Sequence, residues 1–482
     1  MQTQPQSSLL SKTKNSKCAS MDSLDSYSIK ISAELIAPPV HHIITLSIMQ
    51  SKFPSMWRQA KIIPVHKKGS DAEMANYRPI AILSPLGKVI EKVVYQQIYA
   101  YFNNNKLFHS NLQGYRRNRS TQTALIQMHD RWVKAANNGK VSGVVLLDLS
   151  AAFDLVDHGI LLDKLEIYGV DQSFREWIKS YLTGREQSVW INHCYSPPLE
   201  NNVGVPQGSN LGPLFFLLYY NDLLYSTDCV IYAYADDSTI TYSDPSVADI
   251  SEKLTNKCNE VSRWMLQNRL KLNEDKTHTM LIGTNARVSQ ASGHLNIEMN
   301  NIKVSQNASK SQKLLGIYVD QDLKWHKALS DLQQRLKCRL AGLSKLRLVV
   351  PFSTLRLIAD GIFGSTLIYC LPVIGGCTKA ELNSIQVLQN KAALIITRKP
   401  PRTNRNSLYE LLGWLTVNQL VSYHTLLQVY RVRISHEPEY LYQFLGKNSR
   451  NERIPLPRVN LTLVKDSFMY RGHHCGMLCR AI

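Results

Sequence analysis

Apolar residues recur at helical spacing in four stretches of this chain and at strand density in two others. Phe174, Trp177, Ile178, Tyr181 and Leu182 fall at i, i+3, i+4, i+7 and i+8 between Asp171, a candidate N-cap, and Gly184, a candidate stop. Val247, Ile250, Leu254, Cys258, Val261, Trp264 and Met265 trace a longer stripe, and Leu125, Met128, Trp132 and Val133 another. Leu161, Leu162, Leu165 and Tyr168, closed by Gly169, make the fourth. Such stripes are core-facing surfaces and carry no function by themselves.

Strands are signalled elsewhere. Val141 to Leu149 is a β-branched and leucine run long enough for a buried strand, and it delivers Asp148 at its end. Cys229 to Tyr242 reads as two β-rich runs around Ala235, Asp236 and Asp237, the pattern of a hairpin with acids at its tip. Helices flanking a mostly antiparallel sheet predict an α+β fold. The first thirty residues hold eight Ser and no sustained period, so a flexible lead-in is expected over 1–30. No repeat of fixed period is present, which excludes a solenoid.

Composition narrows the partners. The 482 residues carry 56 Lys+Arg against 37 Asp+Glu, a formal charge of +19. A folded chain with that field meets a polyanion, nucleic acid first and an anionic membrane surface second. Nine cysteines without a C-x-x-C pair fit a reduced, intracellular setting, nuclear and cytoplasmic, and no secretory h-region is present. The most membrane-like stretch, Leu355 to Gly376, is interrupted by Arg356, Asp360 and Pro372, so a buried helix is expected there and no membrane partner.

Adjacent carboxylates raise each other's pKa unless something positive lies between them. Asp236 and Asp237 at a hairpin tip, joined by Asp148 from the end of another strand, form a hard, all-oxygen set suited to magnesium. Two such ions roughly 3.5 to 4 Å apart are the usual device for in-line phosphoryl transfer. Taken alone, an Asp-Asp pair also fits a solvated turn.

The surroundings of the acids settle more than the pair does. The chain resembles the reverse transcriptases of non-LTR, LINE-type retrotransposons, and within them the jockey-like group. The resemblance rests on eight blocks in the family's order: WRQAKIIPVHKKG (Trp57 to Gly69), NYRPIAILSPLGKVIEKVV (Asn76 to Val94), QGYRRNRSTQTAL (Gln113 to Leu125), LLDLSAAFDLVDH (Leu146 to His158), GVPQGSNLGPLFFLLYYNDL (Gly204 to Leu223), YADD (Tyr234 to Asp237), RLKLNEDKT (Arg269 to Thr277) and LLGIYVDQDLKW (Leu314 to Trp325).

The resemblance implies a right-hand polymerase with fingers and palm over 31–285, the end of the palm and start of the thumb over 286–345, and a mainly helical, basic region over 346–482. It makes Asp148, Asp236 and Asp237 the ligands of two Mg²⁺ ions, with Mn²⁺ as a substitute, and RNA template, DNA primer and dNTPs the partners. Phe153 matches the aromatic that excludes a 2′-OH by collision. Arg78 matches an arginine facing the triphosphate. Pro206, Gln207 and Gly208 match a segment supporting the template base and nucleotide, and Lys276 a lysine near the pyrophosphate, a candidate general acid. The plainer alternatives are an ion-paired Arg78, a core Phe153 and a solvated Lys276. Asp154 and Asp157 stay outside the metal set, with Asp154 expected to cap or orient the segment after it.

The chain departs from the family pattern at Ala151, where Lys is usual, and at Asn210, where an apolar residue is usual. Family members usually carry an upstream endonuclease, and the stretch before Trp57 is too short for one. The chain is therefore expected to extend a supplied primer without nicking DNA itself. Two rivals remain: a dead or truncated copy that only binds nucleic acid, and a DNA-dependent polymerase or maturase-like protein on the same palm.

From Arg398 onward there are 13 Lys+Arg against 5 Asp+Glu. Lys391, Arg398, Lys399, Arg402 and Arg405 cluster around Pro400 and Pro401, suited to template phosphates or simply solvated. Tyr409, Trp414, Tyr423 and Tyr430 offer rings for base stacking, although core packing is the commoner role of such residues. His473, His474, Cys475 and Cys479 match no zinc spacing.

Overall fold

The computed structural model describes residues 7–13, 16–273, 276–291, 295–299, 302–304, 310–445 and 459–472. The strands that position the site are β1 (Ala60–His66), β2 (Tyr77–Ile82), β3 (Val141–Leu147), β4 (Arg185–Ile191), β5 (Val230–Tyr234), β6 (Asp237–Asp244) and β7 (His278–Ile282). The helices around the site and in the C-terminal region include α1 (Pro85–Asn104), α2 (Thr121–Asn137), α3 (His158–Ile167), α4 (Gln172–Leu182), α5 (Gly212–Tyr220), α6 (Val247–Gln267), α7 (His326–Leu346), α8 (Lys379–Thr397), α9 (Arg405–Leu412) and α10 (Val417–Ser435). The fold is α+β with mainly antiparallel sheets and a helical C-terminal region.

The chain forms two compact units. One comprises Met1–Tyr115, Leu149–Asp228 and Glu260–Asn273; the other comprises Arg116–Asp148, Cys229–Asn259 and Glu274–Ile482.

In the first unit β1 pairs antiparallel with β2 and parallel with β4, Ile62 lying opposite Ala81 and Val189. Ala60, Ile62, Ala81 and Leu83 form a small apolar cluster. The hydroxyl of Ser84 caps α1, accepting from the Gly87 amide, and Pro85 opens the helix where a missing N–H is harmless. Asp171 caps α4 through the Ser173 amide, and Gly184 follows in the left-handed region, as the spacing predicted. The lead-in differs from its Ser-rich composition: Ser7–Leu10 and Ser26–Ile31 are helical, with Leu9, Leu10 and Ile29 buried. Asp25 supplies the second of these caps, accepting from the Tyr27 and Ser28 amides, a local signal that a count of serines hides.

In the second unit the strands run β7-β3-β6-β5, all antiparallel. Leu147 pairs with Ser238 and Tyr234 with Asp237, so the hairpin turns at Ala235 and Asp236, with Ala235 left-handed at φ 57°. A Ser120–Thr123 capping box starts α2. Its Trp132 donates through Nε1 to Thr241 Oγ1 at 3.1 Å, fastening the helix to β6. The C-terminal helices share one core: Leu329, Leu332, Leu336, Leu340 and Leu343 keep helical spacing along α7 and cluster with Ile385, Leu388, Ala392 and Ile396 of α8.

Leu355 to Gly376 is not one helix. It breaks into Phe352–Ala359, a π turn at Asp360–Gly364, Ser365–Ile368 and Leu371–Ile374. Among the described residues no helix is long and apolar enough to cross a membrane. His473, His474, Cys475 and Cys479 lie outside the described residues.

Candidate active site

The acids lie in the second unit. The ladder between β3 and β6 ends at Leu147–Ser238, one residue short of Asp148 on one strand and one residue beyond Asp237 on the other. Backbone pairing thus brings Asp148 to the Asp236–Asp237 tip although 88 residues separate it from Asp236 in sequence. Asp237 reports the crowding: its pKa is pushed up to about 6 from 3.8, by desolvation first and then by the charges of Asp236 and Asp148. Lys276 opposes that shift, and its Nζ donates to Asp148 Oδ2 at 2.8 Å.

These side chains fit a divalent cation chemically, because all the donors are carboxylate oxygens and their mutual repulsion falls when a positive charge enters. As they stand, no three His, Cys, Asp or Glu side chains among the described residues are gathered into a metal-holding cluster. The nearest cation to Asp148 is the Lys276 ammonium, which sequence comparison assigned to the pyrophosphate.

The residues expected to face the nucleotide lie in the first unit. Arg78 stands on β2 opposite Val65, exposed. Phe153 stacks on Phe216, ring centroids 4.8 Å apart, and meets Tyr115 edge-on at 6.2 Å. The loop through Pro206, Gln207 and Gly208 is tied to β2, because the Ala81 amide donates to the Gln207 carbonyl at 2.8 Å. Gly208 sits at φ 116°, where a Cβ would come within 2.7 Å of the Ala81 carbonyl oxygen, so only glycine allows this approach.

Asp154 caps no helix. Its two oxygens accept from Gln207 Nε2 at 2.9 and 3.0 Å. The cap of α3 is Asp157, which accepts from the Ile160 amide and pairs with Arg269. Ala151 occupies the left-handed region at φ 50°.

Asn210, the other departure, has a structural explanation. Its amide donates to Glu91 Oε2 at 2.6 Å, and its side chain donates to the Lys88 carbonyl at 2.9 Å. Glu91 is fully buried and also accepts from the Tyr181 hydroxyl at 2.9 Å. Sequence reasoning passed over Glu91, although it falls on the α1 stripe of Gly87, Ile90, Val94 and Ile98, where a lone charge signals a buried partner.

The basic C-terminal features divide. Arg398 donates to the Val350 carbonyl and Arg405 to the Pro401 carbonyl, while Lys391, Lys399 and Arg402 are exposed. Tyr409 is buried and bonded to Gln386 and Asn390; Trp414 stacks on Phe363 and donates to Asp360. Tyr423 and Tyr430 are exposed on α10.

The chain is 27% identical over 428 residues to the probable RNA-directed DNA polymerase from transposon BS of Drosophila melanogaster, covering 84% of this chain and 46% of that protein. It is 26% identical over 406 residues to the RNA-directed DNA polymerase from mobile element jockey of the same species, covering 81% and 43%. The chain thus spans about half the length of the curated relatives it matches. Among solved structures, apo telomerase from Candida tropicalis aligns with a TM-score of 0.43 and 12% identity, over 86% of this chain and 69% of that one. The family model described as reverse transcriptase (RNA-dependent DNA polymerase) matches residues 65–319, more than half of the chain, and the protein belongs to that family.

Proposed function

We propose that this chain is the RNA-directed DNA polymerase of a non-LTR retrotransposon, adding dNTPs to a primer 3′-OH on an RNA template. The observation that carries this reading is the convergence of Asp148, Asp236 and Asp237 at the paired ends of β3 and β6, where their charges conflict. Acids left in electrostatic conflict on rigid strands are expected where a cation completes the site.

Asp148, Asp236 and Asp237 would hold two Mg²⁺ ions, or Mn²⁺ in their place. When bound, the ions activate the attacking 3′-oxygen and stabilise the departing pyrophosphate. The chain's own groups do the rest. Lys276, already bonded to Asp148, carries an ammonium able to give a proton to the leaving group. Arg78 presents a planar fork of donors to triphosphate oxygens. Phe153, backed by Phe216, makes a rigid wall against a 2′-OH. The exposed Lys391, Lys399 and Arg402, with Tyr423 and Tyr430, provide phosphate contacts and stacking surfaces for template and primer.

Purified chain, offered one sequence as primed RNA or primed DNA with Mg²⁺ and dNTPs, is expected to extend the primer on RNA and to stop when EDTA is added. Binding that survives EDTA without synthesis in any Mg²⁺ condition identifies a nucleic-acid-binding relic instead. Extension on DNA alone identifies a DNA-dependent enzyme.

A further inference from the structure

Asp154 is a carboxylate that the polymerase mechanism does not use. It lies where two segments of the first unit are pressed together: the Gly204 amide donates to the Val156 carbonyl at 2.8 Å and the Val205 amide to the Phe153 carbonyl at 2.9 Å. Gly204, at φ 83°, passes so close that a Cβ there would sit 2.7 Å from the Asp154 carbonyl oxygen. On its far side the Gln207 backbone is held by Ala81. Asp154 therefore meets Gln207 in a fixed frame, and its carboxylate takes a neutral amide as partner instead of an Arg or Lys.

A glutamine amide is ambivalent, since rotation by half a turn exchanges its donor and acceptor ends. An ionised carboxylate only accepts. Paired with both Asp154 oxygens, the amide must turn its NH₂ group towards Asp154 and its Oε1 away; the flipped form would set oxygen against oxygen. Desolvation raises the Asp154 pKa, and the bond from Gln207, which favours the charged, acceptor-only state, offsets that rise in part.

We propose that Asp154 is a positioning residue that fixes the polarity of Gln207, so that this side chain meets the nucleotide as a hydrogen-bond acceptor. The group that meets Gln207 Oε1 must then be a donor, a hydroxyl or an N–H. This rests on the assignment of Gln207 to the nucleotide under the proposed polymerase function.

The test is single-nucleotide incorporation on primed RNA, with KM for dNTP and kcat measured separately. Asp154→Asn keeps the volume and one hydrogen bond to Gln207, yet accepts either amide orientation. It is expected to raise KM about 5-fold, as Asp154→Ala does, with kcat within about 2-fold of wild type. In the double variant Asp154→Asn/Gln207→Glu the new asparagine donates to the new carboxylate, which restores an acceptor towards the ligand, and KM is expected to return to within about 2-fold of wild type.

A merely structural Asp154 would leave Asp154→Asn at the wild-type KM, and that result overturns the proposal. So does a double variant no better than the singles. Wild-type chain that incorporates nothing sinks the polymerase reading itself, whereas active wild type with an unchanged Asp154→Asn sinks only the role of Asp154.

Discussion

Two places in this protein hold carboxylates in crowded surroundings, and they are built in opposite ways. In the first unit, Glu91 is buried with partners supplied: the Tyr181 hydroxyl and the Asn210 amide donate to it, and the Arg185 charge partly offsets the burial that raises its pKa. In the second unit, Asp148, Asp236 and Asp237 meet at strand ends, and the Lys276 ammonium is bonded to Asp148. A carboxylate whose partners are built in holds the fold together. Under the proposed function, carboxylates brought together without enough positive charge hold a place for a cation that arrives later.

Substitutions at the two places should therefore fail differently. Asp236→Asn is expected to lower nucleotide incorporation on primed RNA by at least ~10³-fold, ~4 kcal/mol of barrier, with an unfolding midpoint no lower than that of wild type. Retained incorporation would break the distinction at once. Glu91→Ala strands the Tyr181 hydroxyl and the Asn210 amide and opens a cavity, so denaturant unfolding should show a loss of about 3 kcal/mol. A loss below about 0.5 kcal/mol would mean that the network is ornamental.

Asp237 sharpens the contrast through pH. A carboxyl whose folded pKa is about 6 and whose ordinary value is 3.8 is bound more tightly to its proton in the folded chain. Its ionised form therefore weakens the metal-free protein above about pH 6, and the penalty disappears below about pH 4. Asp237→Asn should raise the thermal midpoint of metal-free protein at neutral pH and lose that advantage as pH falls. A lower midpoint at neutral pH contradicts the crowding. The smallest effect is expected at Tyr430, exposed on α10, where Tyr430→Ala should change stability by less than about 0.5 kcal/mol while Tyr409→Ala costs several times more.

The hairpin and its acids were legible because both signals are local: β-branched runs on either side of a turn, and a strand that ends on Asp148. The cap of α4, Asp171, follows the same logic. Asp154 was misassigned because its partner, Gln207, lies 53 residues away and no local pattern reports such a bond. The four C-terminal rings show the same limit from the other side. Tyr409 is buried, Trp414 packs half-buried against the shared core, and Tyr423 and Tyr430 are exposed, a division set by which helix face meets that core and invisible in a list of aromatics. The break in Leu355–Gly376 was foreshadowed by Asp360 and Pro372, whereas the π turn was not.

The central claim is that Asp148, Asp236 and Asp237 share a cation. Mn²⁺ titration of the purified chain, followed by the loss of the free-ion electron paramagnetic resonance signal, tests it without any need for turnover. Wild type should bind Mn²⁺, and Asp148→Asn should weaken that binding by about 10-fold or more, because one of three charged oxygen donors is gone. Equal Mn²⁺ affinity in the two proteins would contradict the account.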